Sequence, residues 1–313
     1  MRHGGGGSVN NSQGAPMNSI KTIVAAVDFS QPSAHALRHA ARLAKDRNAR
    51  LQAVHVVDTL VGIPLTDEIS AFQAQVALSL IDESKQLWSQ FCKDIPGLAA
   101  AGFHTEINSP VLGITRYCKD VRADLLVMGT HGVAKARGVG AVASSCVRRS
   151  PCDVLLVADD APEKFKTILA CVDFSATSRE AVDHAVQLAA IDGAWAHVVY
   201  VFTPPWRRVK PRAGSPEASE AFHTSYAKAL TDRLAAFCEP SRPEVTWAKP
   251  TYHAIPHDSH GTGICEFAKT LNADLVVLGT RGASNIHDIL LGSTAERVVR
   301  DAGRSILAVR AVK

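Results

Sequence analysis

Two copies of one pattern run through this chain, so any fold it adopts must build the same unit twice. Lys21–Ser30 (KTIVAAVDFS) returns as Lys166–Ser175 (KTILACVDFS). Ala123–Gly132 (ADLLVMGTHG) returns as Ala273–Gly282 (ADLVVLGTRG), and Asp153–Val157 (DVLLV) as Ser305–Val309 (SILAV). The offset defines a tandem unit of about 145 residues, an ordinary domain size. The boundaries that follow are a disordered tail over 1–18, a first unit over 19–158, a linker over 159–165 and a second unit over 166–313. So short a linker implies that the halves pack together.

Within each unit the hydrophobic period switches between strand and helix. In the first, strands are expected over Thr22–Val27, Leu51–Val57, Phe103–Ile107, Asp124–Met128 and Asp153–Val157. Helices are expected from Pro32, a residue that suits a first helical turn, and then over Thr66–Phe91, Ile114–Val121 and Val139–Arg148. The second unit repeats the order, with its long helix over Pro216–Phe237. Alternating βα units with nearly continuous apolar strands imply a parallel sheet covered on both faces. The expected class is α/β: two tandem, doubly wound, five-stranded parallel-sheet domains.

Composition narrows the function classes. With 46% apolar and 20% charged residues this is ordinary globular protein. The net charge of +4 is spread along the chain, which argues against nucleic acid, a partner met by concentrated basic patches. No apolar run approaches the roughly 18 residues of a membrane span. Seven cysteines lie scattered without a Cys-x-x-Cys pair and read as reduced, buried thiols in a cytoplasmic protein. Residues 1–18, with Gly4 to Gly7 in a row, cannot build a core and lack the apolar middle of a secretory signal.

The chemistry concentrates in the second unit. The apolar run Ala273–Leu278 leads into Gly279, Thr280, Arg281 and Gly282, then nine residues, then Gly292, Ser293 and Thr294 at a helix start. Glycines let a ligand approach the backbone closely, and free N–H groups at a helix N-terminus attract an anion. The stretch is neither a Walker A loop nor a Gly-x-Gly-x-x-Gly fingerprint. Taken alone, it reads equally well as a strand-to-helix turn with its capping residues.

The repeated Val-Asp-Phe-Ser strand end, the Gly-x2-Gly-x9-Gly-Ser/Thr signature and the closing SPCDVLLV at 150–157 together resemble the universal stress protein family. The chain as a whole, from Ile20 to the C-terminus, resembles its tandem members. The resemblance implies Rossmann-like domains of the adenine nucleotide alpha-hydrolase-like type. In one branch of the family it implies ATP at the carboxyl ends of the strands; a second branch lacks the signature and holds no nucleotide. Matched residue by residue, Gly279, Gly282, Gly292, Ser293 and Thr294 stand for the phosphate and ribose loop. Asp173 stands for the acidic residue facing adenine or ribose, Val201 for the position bordering the base, and Leu278 for the residue before the first glycine. Asp173 also reads as an N-cap of the following helix. Arg281 is placed to reach a phosphate, and a Mg or Mn ion is expected with the nucleotide.

The first unit departs from that pattern. Asp28, Val56, Gly129 and Gly132 are present, but only seven residues separate Gly132 from Gly140, and Ala141 stands where Ser293 stands. Its nucleotide site is expected to be weak or degenerate, leaving this unit as a pseudo-twofold partner.

Beyond binding, His287 and Asp288 lie inside the signature, but nothing resembles a base with a fixed partner, so at most slow ATP hydrolysis is expected. His253, His257 and His260, with Asp258 and Cys265 close by, hold the ligand types of a zinc site in what reads as a loop. Their spacing matches no strong metal motif. The basic run Arg207, Arg208, Lys210 and Arg212 reads as a solvated loop, or as a phosphate or partner contact. The expectation is a cytoplasmic stress-response protein whose second domain binds ATP and acts as a nucleotide-gated regulatory module. Its two domains would pair internally, with a homodimer as a further assembly. The alternatives are a weak ATPase or metal-dependent hydrolase built on the histidine loop, and a nucleotide-free interaction scaffold.

Overall fold

Strands whose successive side chains are all apolar need cover on both faces, and here they receive it. The computed structural model describes residues 20–58, 67–93, 95, 98, 101–132, 138–207, 215–216, 219–239, 250–281 and 291–311; the tail over 1–18 lies outside them. The first half runs β1 (Thr22–Ala26), α1 (Gln31–Arg47), β2 (Arg50–Val57), α2 (Asp67–Phe91), β3 (Gly102–Ile107), α3 (Pro110–Asp120), β4 (Leu125–Gly129), α4 (Ala141–Arg149), β5 (Asp153–Val157). The second repeats it as β6 (Thr167–Cys171), α5 (Ala176–Asp192), β7 (Trp195–Phe202), α6 (Glu220–Phe237), β8 (Thr251–Pro256), α7 (His260–Thr270), β9 (Leu275–Gly279), α8 (Ser293–Asp301), β10 (Ser305–Val309).

All ten strands join one sheet in the order β3-β2-β1-β4-β5-β10-β9-β6-β7-β8. Along β1, Ile23 and Ala25 enter a core beneath α1 and α5, while Val24 and Ala26 enter the opposite core beneath α3, α4, α7 and α8. Pairing is parallel within each half. Between the halves β5 and β10 run antiparallel, with Leu155 opposite Leu307. Two equivalent bonds clamp that ladder: Arg310 N–H donates to Asp153 Oδ1 at 2.8 Å, and Ala158 N–H donates to Ser305 Oγ at 3.1 Å. Residues 159–165 are no free tether. Ala161 and Phe165 are buried, and His35 Nε2 donates to the Ala161 carbonyl at 3.0 Å.

Several duplicated residues turn out to serve the scaffold. Asp124 Oδ2 accepts the N–H groups of Lys21 (2.7 Å) and Thr22 (2.9 Å), and Asp274 Oδ2 those of Lys166 (2.7 Å) and Thr167 (3.0 Å). The phenylalanine of each Val-Asp-Phe-Ser motif is left-handed, with φ of 61° at Phe29 and 63° at Phe174. That conformation is unfavourable for a bulky residue and persists where surrounding structure holds it. The surroundings are aromatic: Phe29 lies against His55 and Phe91, and Phe174 against Tyr200 and Phe237.

Helix starts differ most from the sequence expectation. α3 begins at Pro110 rather than Ile114, because Pro suits a first turn and Gly113 is needed where a Cβ would meet Val56 Cγ2 at 2.9 Å. α6 begins at Glu220 rather than Pro216, since Ser219 is its cap and accepts from Phe222 N–H at 3.2 Å. α4 begins at Ala141 rather than Val139, after Gly138 at φ 86°. The stretch read as a histidine loop is in fact the end of β8 and the start of α7. Among the described residues no helix is long and apolar enough to cross a membrane. All seven cysteines are free, and six are buried.

Candidate functional site

The second half's sheet reverses its winding between β6 and β9, where a crevice forms at the carboxyl ends of the strands. A cleft of about 630 Å³ lies there. It draws Asp173 from the end of β6, Val201 from β7, Leu278 and Gly279 from β9, then Arg281, and Gly292, Ser293 and Thr294 from the start of α8. Eight of the nine residues matched to a nucleotide in this half thus line one space; the ninth, Gly282, lies outside the described residues, as do His287 and Asp288.

The N-terminus of α8 is the polar end of this cleft. Its N-cap is Gly292, at φ −60° and ψ 143°, and among the described residues no side chain caps the helix. The first-turn N–H groups have no intrahelical acceptor. α5 contrasts with it: there Ser175 is the N-cap and accepts from Ser178 N–H at 3.1 Å. This also corrects the capping role considered for Asp173, whose Oδ1 instead accepts from Ser175 N–H at 3.0 Å. The Asp173 carboxylate reaches the cleft while its base is held by the turn.

Gly279 has a different reason to be glycine. A Cβ there would stand 2.9 Å from Thr177 Cγ2, and one on Gly129 would stand 3.1 Å from Pro32 Cβ. The two glycines let α1 sit tightly on the end of β4 and α5 on the end of β9, in each half alike. Cys171 also lines the cleft, but burial foremost, then Cys265, raise its thiol pKa, so it is a protonated apolar wall rather than a nucleophile.

In the first half Gly140 holds the place of Gly292. It caps α4 without a side chain, and its N–H donates to Thr130 O at 2.7 Å just as Gly292 N–H donates to Thr280 O at 3.0 Å. What differs is the surrounding loop. A Cβ on Gly132 would lie 2.3 Å from Asp28 Oδ2, so that carboxylate already packs on the loop. His131 Nε2 is 3.2 Å from Asp159 Oδ2, which ties the loop to residue 159.

The three histidines offered for zinc face different partners. His253 Nε2 is 3.0 Å from His197 Nδ1, and burial, then His197, lower its pKa, so both rings share one hydrogen bond in neutral form. His257 Nδ1 accepts from Ser259 N–H at 2.9 Å. His260 Nε2 lies 3.4 Å from Thr203 Oγ1 at the rim of the cleft. Among the described residues no three His, Cys, Asp or Glu side chains are grouped to hold a metal ion. Of the basic run, Arg207 is described and pairs with Asp258 at 2.8 Å; Arg208, Lys210 and Arg212 lie outside the described residues.

The universal stress protein family pattern matches residues 19–158 and again residues 164–310. The chain belongs to the universal stress protein family. A universal stress protein of Methanocaldococcus jannaschii is 30% identical over 152 residues, covering 45% of this chain and 83% of its own. One from Mycobacterium tuberculosis H37Rv spans both halves, 26% identical over 306 residues and covering 94% of this chain and 97% of its own. Among solved structures, a universal stress protein from Archaeoglobus fulgidus superposes with a TM-score of 0.62 at 17% identity, covering 93% of this chain and 99% of that one, a likeness of fold.

Within this universal stress protein fold, sequence reasoning missed Tyr200, Ile264 and Leu291 as cleft walls and assigned His260 to a metal. A signal for Ile264 was present. Gly263-Ile264 repeats Gly113-Ile114, and in both halves the glycine packs on the β-strand valine, Val201 or Val56. Tyr200 and Leu291 have no such signal, because their place depends on how α7 and α8 close over the strand ends.

Proposed function

We propose that the second half binds ATP in this cleft, with Mg²⁺ or Mn²⁺ on the phosphates, and that the chain works as a nucleotide-gated binding module in a stress response. The observation that supports it most is the glycine-capped N-terminus of α8, set with Ser293 and Thr294 at one end of a cleft at the switch point of the sheet. A volume of about 630 Å³ falls in the range of small-molecule sites, about 300–1,000 Å³. In this reading the phosphates meet the backbone of Gly292 to Thr294 with Arg281 nearby, and the base and ribose meet Val201, Leu278 and Asp173. The functional units are 19–158 and 166–313, joined by 159–165, and they act as an internal pair; the antiparallel β5–β10 ladder supports that pairing. The first half is a degenerate copy, with Asp28, Val56, Gly129, Gly132 and Gly140 retained around a shorter loop. Buried free cysteines fit a cytoplasmic, reducing setting.

Thermal unfolding with magnesium and ATP tests the reading. ATP at about 100 times its Kd raises stability by about 2.7 kcal/mol, several degrees in Tm. The same shift is expected to vanish in Gly292→Val, whose backbone angles suit any residue, so that the substitution obstructs the ligand and spares the fold. A wild-type Tm indifferent to millimolar ATP would overturn it.

A further inference from the structure

A second cleft, of about 940 Å³, opens at the other end of the first half's sheet, between α1, the start of β2 and the segment before β6. Its chemistry differs from that of the nucleotide cleft. Arg38 and Lys45 of α1, Arg50 of β2 and Lys164 stand around it as exposed cations, and none of the four is in an ion pair among the described residues. Arg42, between them, is committed: its guanidinium holds the buried Asp192 carboxylate at 2.5 and 3.3 Å. Asp46 and Glu163 are the acidic side chains of the lining, and Asp46 leans to Arg42 at 3.4 Å. The balance is positive. The half-buried Ala41, Ala49 and Ala101 add an apolar surface.

His39 lies in the wall of this cleft and asks for a partner. Its side chain is only 2% exposed, and among the described residues neither ring nitrogen has a hydrogen-bond partner. A neutral imidazole always carries one N–H donor and one acceptor, and buried polar atoms are nearly always satisfied. Burial foremost, then Arg42 and His35, lower its pKa to about 3, so the ring sits neutral in a positive field. Phe165 stacks on it with centroids 5.3 Å apart and 26° between planes, which fixes the ring in place.

The duplication sharpens the point. The equivalent histidine on α5, His184, has a carboxylate beside it, Asp153 Oδ2 at 3.3 Å. The residue that repeats Asp153 in the second half is Ser305, so His39 lacks the carboxyl group that stands beside its counterpart. The basic stripe is likewise confined to α1: Arg38, Arg42 and Lys45 correspond to Asp183, Gln187 and Ala190 on α5.

We propose that this cleft is a second ligand site, taking a small organic acid whose carboxylate is held by Lys45 and Arg50 beside the His39 ring and whose short apolar body lies on Ala41, Ala49 and Ala101. It stands apart from the strand-end cleft and is independent of ATP binding. Octanoate serves as the probe and acetate as the control for the apolar body, with the full chain followed by calorimetry and by the ring ¹H–¹⁵N signals of His39. One octanoate per chain is expected, at least about tenfold tighter than acetate, with a shift confined to the His39 ring among the buried histidines. Lys45→Glu with Arg50→Glu, both at exposed positions, is expected to weaken it at least about tenfold without changing Tm, while Gly292→Val leaves it intact. The proposal fails if octanoate shows no saturable binding at millimolar concentration, or binds no tighter than acetate. It fails equally if binding survives the double charge reversal, or if Gly292→Val abolishes it, since the anion would then occupy the strand-end cleft.

Discussion

The two halves share a scaffold and differ at the carboxyl ends of their strands. Asp124 and Asp274 make the same pair of backbone bonds, Phe29 and Phe174 the same left-handed turn, Gly129 and Gly279 the same close contact with the first helix of their half. Ser293 faces a cleft in one half, and Ala141 takes its place in the other, after a loop that is two residues shorter. A packing contact made in both copies is thus explained by folding, and the features of one copy alone point to a ligand. By that rule Gly279 says little about nucleotide, whereas Ser293 with the longer loop says most.

The largest expected effect concerns the seam, where the copies also differ. Burial raises the Asp153 carboxyl from 3.8 to about 7, whereas its counterpart Ser305 does not titrate in this range. The folded state therefore favours the protonated acid. Its contribution is full below about pH 4 and is lost as pH rises through 7, at a cost of about 2–4 kcal/mol. Asp153→Asn retains an acceptor for Arg310 N–H and is expected to flatten the fall in denaturant stability between pH 4 and 7. An unchanged pH profile would show that His184, 3.3 Å away, already compensates the charge.

A smaller effect tests the glycine argument. Gly129→Ala and Gly279→Ala are each expected to cost about 1–3 kcal/mol by overpacking, in both halves alike. Urea unfolding of the two variants reads this directly. Full stability of Gly279→Ala together with lost ATP binding would return that glycine to the ligand.

The smallest effect belongs to the hydroxyl. Ser293→Ala is expected to weaken ATP by roughly fivefold, about 1 kcal/mol for one hydrogen bond. The reciprocal Ala141→Ser, at an exposed position, is expected to bring no ATP to the first half, because the loop before it remains short. Gain of a second site in that variant would show that the hydroxyl alone was missing.

Much of this was legible in the sequence, for physical reasons. Val24, Leu126, Val276 and Ile306 sit in runs so apolar that only inner strands can use them, and the duplication set their order twice. The eight cleft residues of the second half were legible because strand ends and helix starts converge in any doubly wound sheet. Helix starts at Pro110 and Glu220 were less so: Gly113 read as a break when it is a packing contact, and Pro216 read as an opening when Ser219 is the cap. The histidines were misplaced because Pro256 ends a strand rather than interrupting a loop. His39 gave no signal at all: a histidine on the apolar side of a helix looks like core, and only the docking of Phe165 and α1 shows that both its nitrogens are stranded.

The central claim, one nucleotide site built from a duplicated scaffold, is most directly tested by calorimetric titration of the full chain with magnesium and ATP. The expected result is one site per chain, weakened at least about 100-fold in Gly292→Val, near 3 kcal/mol, and unchanged in Gly140→Val. Two equal sites, or a single site lost in Gly140→Val and retained in Gly292→Val, would contradict it.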